Sequence, residues 1–287
     1  MLWRALKAAA VAVLALAGGA LGHGFMVEPA ARNTDASTNY CPHCLSGGGV
    51  GEVYSAGRAY PNGLHGVCGD PAGPRPMHEG GGDFQRLNGG LRMTYYAQGS
   101  TINVRVQITA NHGGFFQWKL CKVPDNLAGS ATAQERAYVT QRCFDQTTLS
   151  LSPSGNAYFL DPTWRPPFMV SVQARLPAGL TCQRCVLQWH FVTANSCLPP
   201  GLPPKWSAGT SLPVCGANGA NPEEFWGCAD IGIVPRGQPV PPPRNTQRKT
   251  SVDTSGMAPD GAGQRVGPGY GYIDGSSKVY PVVPGAP

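Results

Sequence analysis

Residues 101–109 constrain the fold of this 287-residue chain more than any other segment. Apolar and polar residues alternate through it, so its side chains would lie on opposite faces of a half-buried β-strand. The apolar members are Ile102, Val104, Val106 and Ile108. Related patterns, separated by Gly and Pro, occur at residues 168–176, 186–192 and 228–234. Because helical periodicity is scarce, we predict an all-β antiparallel sandwich with long loops, the largest at residues 33–90.

The cysteines indicate an oxidising compartment. All ten fall within one part of the chain: Cys41, Cys44, Cys68, Cys121, Cys143, Cys182, Cys185, Cys197, Cys215 and Cys228. An even number in one exported domain predicts up to five disulfides, although the sequence does not give their connectivity. The two Cys-x-x-Cys pairs each resemble half of a zinc site, but they lie far apart in the sequence. We therefore favour disulfides over zinc.

Residues 1–22 have the pattern of a secretory signal peptide. Arg4 and Lys7 precede a short apolar run, and the small residues Ala20 and Gly22 fit a cleavage site. An uncleaved membrane anchor would need a longer apolar segment. We predict cleavage after Gly22, which makes His23 the first residue of a secreted, extracellular protein without a membrane partner.

The composition changes again near residue 235. Residues 236–287 are rich in Pro, Gly and Ser and have few large apolar side chains. We predict that this segment is a disordered tail and that residues 23–235 form one domain. The tail and the signal peptide hold most of the net charge of +6. The domain itself is nearly neutral, which argues against a nucleic-acid partner.

Two histidines are candidate metal ligands. His23 at a mature N-terminus would offer both its α-amine and a ring nitrogen, and His112 follows the strand predicted at residues 101–109. Three nitrogen donors of this kind favour Cu(II) among common metals. By themselves, however, these residues favour the interpretation that each of the six histidines is structural or exposed.

Several segments together resemble one enzyme family. These segments are residues 23–32, 66–70, 108–112, 116–121, 185–189 and 225–231. In this order they are similar to the lytic polysaccharide monooxygenases, in particular auxiliary activity family fifteen. The resemblance implies an immunoglobulin- or fibronectin-like sandwich, a single copper ion held by a histidine brace, and a flat face for crystalline polysaccharide.

The resemblance also assigns site residues. His23 and His112 match the brace histidines. Phe225 matches the axial position, where Phe supplies no ligating atom. Ala110 matches a small residue that shapes solvent access to the metal.

Weaker assignments concern the surroundings of the metal. Gln188 and Glu223 are candidates to hydrogen-bond an oxygen species there, although a structural role suits Gln188 equally. Tyr54 and Tyr60 are candidates to stack on the sugar surface.

The activity implied is oxidative cleavage of chitin or cellulose by hydroxylation at C1 or C4. It would use an external electron donor with hydrogen peroxide or dioxygen, and we expect a monomer. Two alternatives stay open: a non-catalytic polysaccharide-binding protein, and a copper-binding or copper-delivery protein that has a brace. The sequence does not distinguish chitin from cellulose or C1 from C4, and it does not identify the electron donor.

Overall fold

The computed structural model describes residues 24–34, 45–54, 65–73, 76–86, 91–207, 210–244 and 282–284. Ten strands make up most of the regular structure. They are β1 Gly24–Glu28, β2 Met93–Ala97, β3 Thr101–Ile108, β4 Phe115–Lys122, β5 Ser150–Ser152, β6 Tyr158–Phe159, β7 Phe168–Arg175, β8 Cys182–Val192, β9 Glu224–Val234 and β10 Val282–Pro284. The helices are short: α1 Val50–Val53, α2 Asp83–Arg86, α3 Gln141–Asp145 and α4 Pro204–Ser207, with 3-10 turns at Arg32–Thr34, Ala133–Ala137 and Ala217–Gly219. Within these ranges no helix has the length and apolarity needed to cross a membrane.

The strands form two sheets that confirm the predicted sandwich. One sheet has the order β1-β3-β7-β10, with β5 also paired to β7, and the other has the order β2-β9-β8-β4-β6. Most neighbours are antiparallel, but β2 runs parallel to β9 and β10 runs parallel to β7. The sandwich is therefore mixed at these two edges rather than wholly antiparallel.

The core lies between the sheets, where the alternation predicted for β3 is observed. Its four apolar side chains are buried in one cluster with residues from β8 and β9. Those partners include Leu187, Trp189, Phe191 and Phe225. Because β-branched and aromatic residues from both inner faces fill this layer, burial of apolar surface is the main force that joins the sheets.

A cluster of buried charges covers the outer face of the β8–β9 sheet. Arg32 donates to both carboxylate oxygens of Asp230, at 2.9 and 2.7 Å, and to Glu135 at 2.9 Å. Arg184 donates to the same two carboxylates, at 2.5 Å to Glu135 and 3.2 Å to Asp230. Burial alone would raise the pKa of Asp230, but the two guanidiniums, Arg32 foremost, hold that pKa below its usual value. Asp230 thus has a structural role.

All eight cysteines in the described ranges form disulfides, as predicted. The pairs are Cys68–Cys228, Cys121–Cys143, Cys182–Cys185 and Cys197–Cys215. The zinc interpretation is wrong for Cys182 and Cys185, since their sulfurs are bonded to each other. Cys41 and Cys44 lie outside the described residues.

Two stretches beyond the predicted boundary at residue 235 pair with strands of the sandwich. The backbone of Arg244 exchanges two hydrogen bonds with Met93, at 3.2 and 2.9 Å, and so returns the chain alongside β2. Near the C-terminus, residues 282–284 pair with Met169–Ser171 of β7. The segment expected to be a disordered tail thus has backbone pairing at these two points, and residues 245–281 and 285–287 lie outside the described residues.

The charge cluster allows a direct test. Asp230→Asn should lower the free energy of unfolding by about 3–5 kcal/mol, because it leaves two buried guanidiniums facing one carboxylate. Denaturant unfolding of the variant and the parent measures this difference. Asp145→Asn is the matched control: the Asp145 side chain is 53% exposed in its pair with Lys119, so its loss should cost less than about 1 kcal/mol. Equal losses in the two variants would contradict a stabilising role for the cluster.

Candidate active site

Four strands bring their ends together at one end of the sandwich. Gly24 of β1 is paired with Ile108 of β3, and Phe225 of β9 is paired with Phe191 of β8. The loop after β8 reaches the loop after β3, because Ala194 N donates to His112 O at 3.1 Å. His112 therefore lies where both sheets end. His23, the other predicted brace residue, lies outside the described residues, immediately before Gly24.

Gly24 is closely enclosed. A Cβ atom at this position would lie 2.8 Å from Ile108 Cδ1, 3.0 Å from Gln107 O and 3.2 Å from Trp189. The first of these contacts is shorter than real Cβ contacts, and the second is to a backbone atom that cannot move without disturbing β3. Glycine thus lets the first residue of β1 lie flat against β3 and the core.

Local hydrogen bonds hold the His112 loop in place. Asn111 Nδ2 donates to Asp161 O at 2.8 Å and to Trp164 O at 2.7 Å, and Asn111 Oδ1 accepts from Gly113 N at 2.9 Å. Gly114, at φ +90°, lies so close to Val192 O that any Cβ would collide with it. The sequence analysis missed Asn111, although an Asn two residues before a Gly-Gly pair is a recognisable turn signal.

Glu223 lies beside His112. The distance from Glu223 Oε2 to His112 Nε2 is 3.9 Å, and the two side chains are 15% and 16% exposed. Burial raises the pKa of Glu223, while a hydrogen bond from Asn195 and the charge of His112 oppose that shift. Asn195 Nδ2 donates to the same oxygen, Glu223 Oε2, at 3.2 Å and so helps to hold the carboxyl beside His112. The structure thus brings together two of the predicted residues.

Phe225 is the second residue of β9 and begins the inner face of that strand at this end. It is fully buried, with its ring centroid 5.9 Å from that of Phe191. Ala110 is partly exposed, two residues before His112. The site is therefore an imidazole at the surface with a carboxyl beside it and an aromatic wall at the end of the core.

Gln188 lies elsewhere. Its amide donates to Val67 O at 2.7 Å and to Gln141 Oε1 at 3.0 Å, and the side chain is buried on the outer face of β8. Four residues, roughly 13 Å of strand, separate it from Val192 at the site end. The structure does not bring Gln188 to His112. The contacts of Gln188 are those expected if the residue has a structural role, which was the alternative interpretation.

The prediction for Tyr54 is wrong. The side chain is buried, with the residue 7% exposed, and its hydroxyl donates to Glu224 Oε1. A ring enclosed in this way cannot stack on a flat substrate. Tyr60 lies outside the described residues.

Tyr54 instead belongs to a buried cluster that the sequence analysis missed. Glu224 Oε2 lies 2.5 Å from His190 Nε2, and the Trp226 ring contacts His190 and His65, at centroid distances of 5.2 and 3.8 Å. Alternation along β8 and β9 places His190, Glu224 and Trp226 on the outer face, opposite Phe225. This cluster anchors the loops over the sheet and is separated by the sheet from the aromatic wall.

The Glu224–His190 pair predicts a pH dependence of stability. Burial raises the pKa of Glu224 to about 8 and lowers the pKa of His190 well below 6.5. The folded pair then retains one proton up to about pH 8, whereas in the unfolded chain the last proton leaves near 6.5, the ordinary pKa of histidine. Between about pH 6.5 and 8 the folded state binds more protons, so the free energy of unfolding should fall as pH rises, by up to about 2 kcal/mol.

Glu224→Gln should remove this part of the slope, because it removes the carboxyl that holds the extra proton in the folded state between about pH 6.5 and 8. Unfolding free energies at several pH values measure it as the difference between parent and variant. Asp125→Asn, an exposed carboxylate elsewhere, should leave the slope as in the parent. A slope that is the same in the parent and in Glu224→Gln would show that the pair does not hold the extra proton.

The residues present fit a copper ion. Within the described ranges no three His, Cys, Asp or Glu side chains gather into a metal site. That is the result expected if two of the three nitrogen donors belong to His23, which precedes those ranges. His112 offers a partly exposed imidazole, and every thiol in the described ranges is taken up in a disulfide. The donor set is therefore nitrogen without thiolate, which suits Cu(II).

The fold and the histidine at one end of it are compatible with an exposed metal site, and sequence comparison identifies the family. A family model described as "Lytic polysaccharide mono-oxygenase, cellulose-degrading" matches residues 23–231. The chain therefore belongs to the lytic polysaccharide monooxygenases. No curated protein matches it in a sequence search.

Solved structures agree with this assignment. The AA15 lytic polysaccharide monooxygenase from Thermobia domestica, determined in the Cu(I) state, is 33% identical to the chain with a TM-score of 0.56. The match covers 74% of this chain and 98% of that one. Two others, a chitin-binding domain from Burkholderia pseudomallei and the cellulose-active CelS2 in complex with copper, are each 13% identical with a TM-score of 0.36. They cover 74% and 73% of this chain, and 100% and 98% of their own. Similarity this low carries no argument here.

Membership establishes the general chemistry. The chain is a copper-dependent monooxygenase that oxidises polysaccharide. The recognition made from the sequence motifs is confirmed.

Proposed function

We propose that this chain is a secreted enzyme that cleaves crystalline chitin or cellulose by hydroxylating C1 or C4 of a sugar unit. The observation that carries this proposal is the partly exposed His112 imidazole at the end of the sandwich, beside Glu223. A metal held there would face the solvent rather than the core. An exposed site suits an insoluble substrate, because a chain need not be extracted from its crystal.

In this proposal His23 holds copper through its α-amine and ring, and His112 holds it through its imidazole. Copper, once reduced by an external donor, supplies the redox chemistry with hydrogen peroxide or dioxygen. The remaining roles belong to side chains of this chain. Phe225 keeps water away from the side of the site that faces the core, and Asn111 fixes the backbone from which His112 projects.

Glu223 is the proposed hydrogen-bonding group. Its Oε2 atom lies 3.9 Å from His112 Nε2 and accepts a hydrogen bond from Asn195 Nδ2 at 3.2 Å, so the carboxyl is held beside the imidazole. Burial raises the pKa of Glu223, while Asn195 and the charge of His112 oppose that shift. A carboxyl in this position would hydrogen-bond an oxygen species at the site. Cleavage by oxidation needs no pair of carboxylates at glycosidase spacing.

Product analysis tests this function. The protein that begins at His23, loaded with copper, is incubated separately with chitin and with cellulose in the presence of a reductant. Mass spectrometry of released oligosaccharides should show oxidised ends on one or both, with the mass pattern giving C1 or C4. Sugar binding without oxidised products would support a non-catalytic binding protein, and copper affinity without either would support copper delivery.

His112→Ala should weaken copper binding by more than about 100-fold. Loss of a direct metal ligand should reduce affinity more than loss of a residue that only hydrogen-bonds to a ligand. Oxidised products should disappear while the melting temperature stays close to that of the parent, since His112 lies in a loop. Copper titration and electron paramagnetic resonance measure the first effect. His65→Ala is the control histidine and should bind copper like the parent. Phe225→Ala should keep the nitrogen ligands but alter the spectrum, with partial loss of activity. Normal copper binding by His112→Ala would disprove its assignment.

The N-terminus provides an independent test. One alanine added before His23 removes the free amine from that residue, so copper affinity should fall and oxidised products should be lost. Intact-mass measurement of the secreted protein should show a chain beginning at His23. If the extended protein matched the parent in affinity and product yield, the predicted chelate would be wrong.

A further inference from the structure

A shallow depression of about 510 Å³ opens beside the His112 loop. Its lining is Asn111, Pro162, Thr163, Trp164, Arg165 and Pro166. The volume lies within the range of small-molecule sites, roughly 300–1,000 Å³. Since four of these six residues are exposed, the depression is open to the surface rather than enclosed.

The depression is joined rigidly to the active site. Asn111, next to His112 in the chain, donates to the carbonyls of Asp161 and Trp164. These hydrogen bonds hold the turn that forms the side of the depression away from His112. On the near side, a Cβ at Gly113 would lie 3.3 Å from Pro162 Cβ, so the His112 loop packs against the turn. A ligand in the depression would therefore lie next to whatever occupies the site at His112.

The lining combines an aromatic ring with exposed hydrogen-bonding groups. The Trp164 ring is partly exposed and is held edge-on by Phe168, with centroids 5.7 Å apart and planes at 90°. Arg165 is exposed at the rim, and Thr163 donates its hydroxyl to Asp161 Oδ1 at 2.6 Å. The Thr163 oxygen keeps its lone pairs available to accept a hydrogen bond.

This combination fits a neutral sugar better than an anion. A pyranose has an apolar face of C–H groups that lies against an aromatic ring, and hydroxyls at its edge that pair with charged and hydroxyl groups. Among the described residues of the lining Arg165 is the one cation, and the Asp161 carboxylate, which accepts from Thr163, adds a negative charge to the same turn. An anion site would need further donors.

We propose that this depression is a subsite for a pyranose unit of the polysaccharide, adjacent to the unit oxidised at His112, with Trp164 under the ring and Arg165 on its hydroxyls. The inference rests on the proposed function, because it assigns the neighbouring position on the same substrate. It makes residues 162–166 a determinant of how the polysaccharide is aligned at the site.

Binding of soluble hexasaccharides of chitin and of cellulose to the copper-free protein tests the subsite without turnover. Titration followed by nuclear magnetic resonance should shift the indole N–H signal of Trp164, which Trp164→Phe identifies by its loss. Arg165→Ala should weaken binding at least fivefold, which is about 1 kcal/mol. Arg175→Ala is the matched control. It is equally exposed on β7 but seven residues, roughly 23 Å, from Phe168, and it should bind like the parent.

Copper titration and consumption of hydrogen peroxide by the copper-loaded variants, measured without polysaccharide, report whether the metal site is intact. Both should match the parent in Arg165→Ala. Parent-like binding of both hexasaccharides by Arg165→Ala, or an unshifted Trp164 signal, would overturn the subsite even if the parent releases oxidised products. Conversely, a shifted Trp164 signal and weaker binding by Arg165→Ala would support the subsite even if the parent oxidised neither polysaccharide, which would instead overturn the proposed function.

Discussion

The antiparallel register between β1 and β3 is the constraint on which the site depends. Gly24 is paired with Ile108, which precedes His112 by only four residues, so the beginning of β1 lies close to the His112 loop. A shift by one residue would turn Met26 out of the core and would carry the beginning of β1 away from that loop. The register is secured by the buried side chains of β3 and by Gly24, whose missing Cβ allows the close approach to Gln107 and Trp189. The position of the beginning of β1 relative to the His112 loop thus depends on packing inside the sandwich.

The outer face of the β8–β9 sheet follows a mixed principle, since buried charged and polar side chains lie there beside a second apolar cluster that includes Val186 and Phe144. Arg32 and Arg184 share two carboxylates there, while Glu224 joins Tyr54 to His190. Such pairs add little net stability compared with apolar packing, but they fix which loop lies where, because a displaced loop would leave a buried charge unpaired. Charge matching therefore adds specificity to loops that apolar burial and the Cys68–Cys228 disulfide also hold on this face.

These two principles explain which parts could be read from the sequence. Alternation is a local pattern, so the strands and the core residues of β3 were predictable, and so were the disulfides as a class. Family motifs singled out His112, Glu223 and Phe225, whose roles stay predictions. Tyr54 was misassigned because exposure depends on loops that close from distant sequence, and a tyrosine in a Gly-rich segment resembles a surface residue. Gln188 was left open between a role near the metal and a structural role, and its contacts are those of the second. The pairing of Arg244 with Met93 of β2 was missed because backbone pairing there carries no side-chain periodicity.

The His112 side chain is partly exposed although its loop is held by hydrogen bonds. The other loops at this end of the sandwich show how exposed segments can be ordered. The excursion between β8 and β9 leaves the sheet at Val192 and returns at Glu224, and little of it is buried in the core. Its ordering comes instead from the Cys197–Cys215 disulfide and from hydrogen bonds such as Ser196 to Asn221 O at 2.8 Å. A disulfide lowers the entropy of the unfolded chain, so a loop can be ordered without apolar burial. A face that contacts a crystal surface must leave its residues exposed, and cross-links of this kind are the stabilising interactions compatible with that exposure.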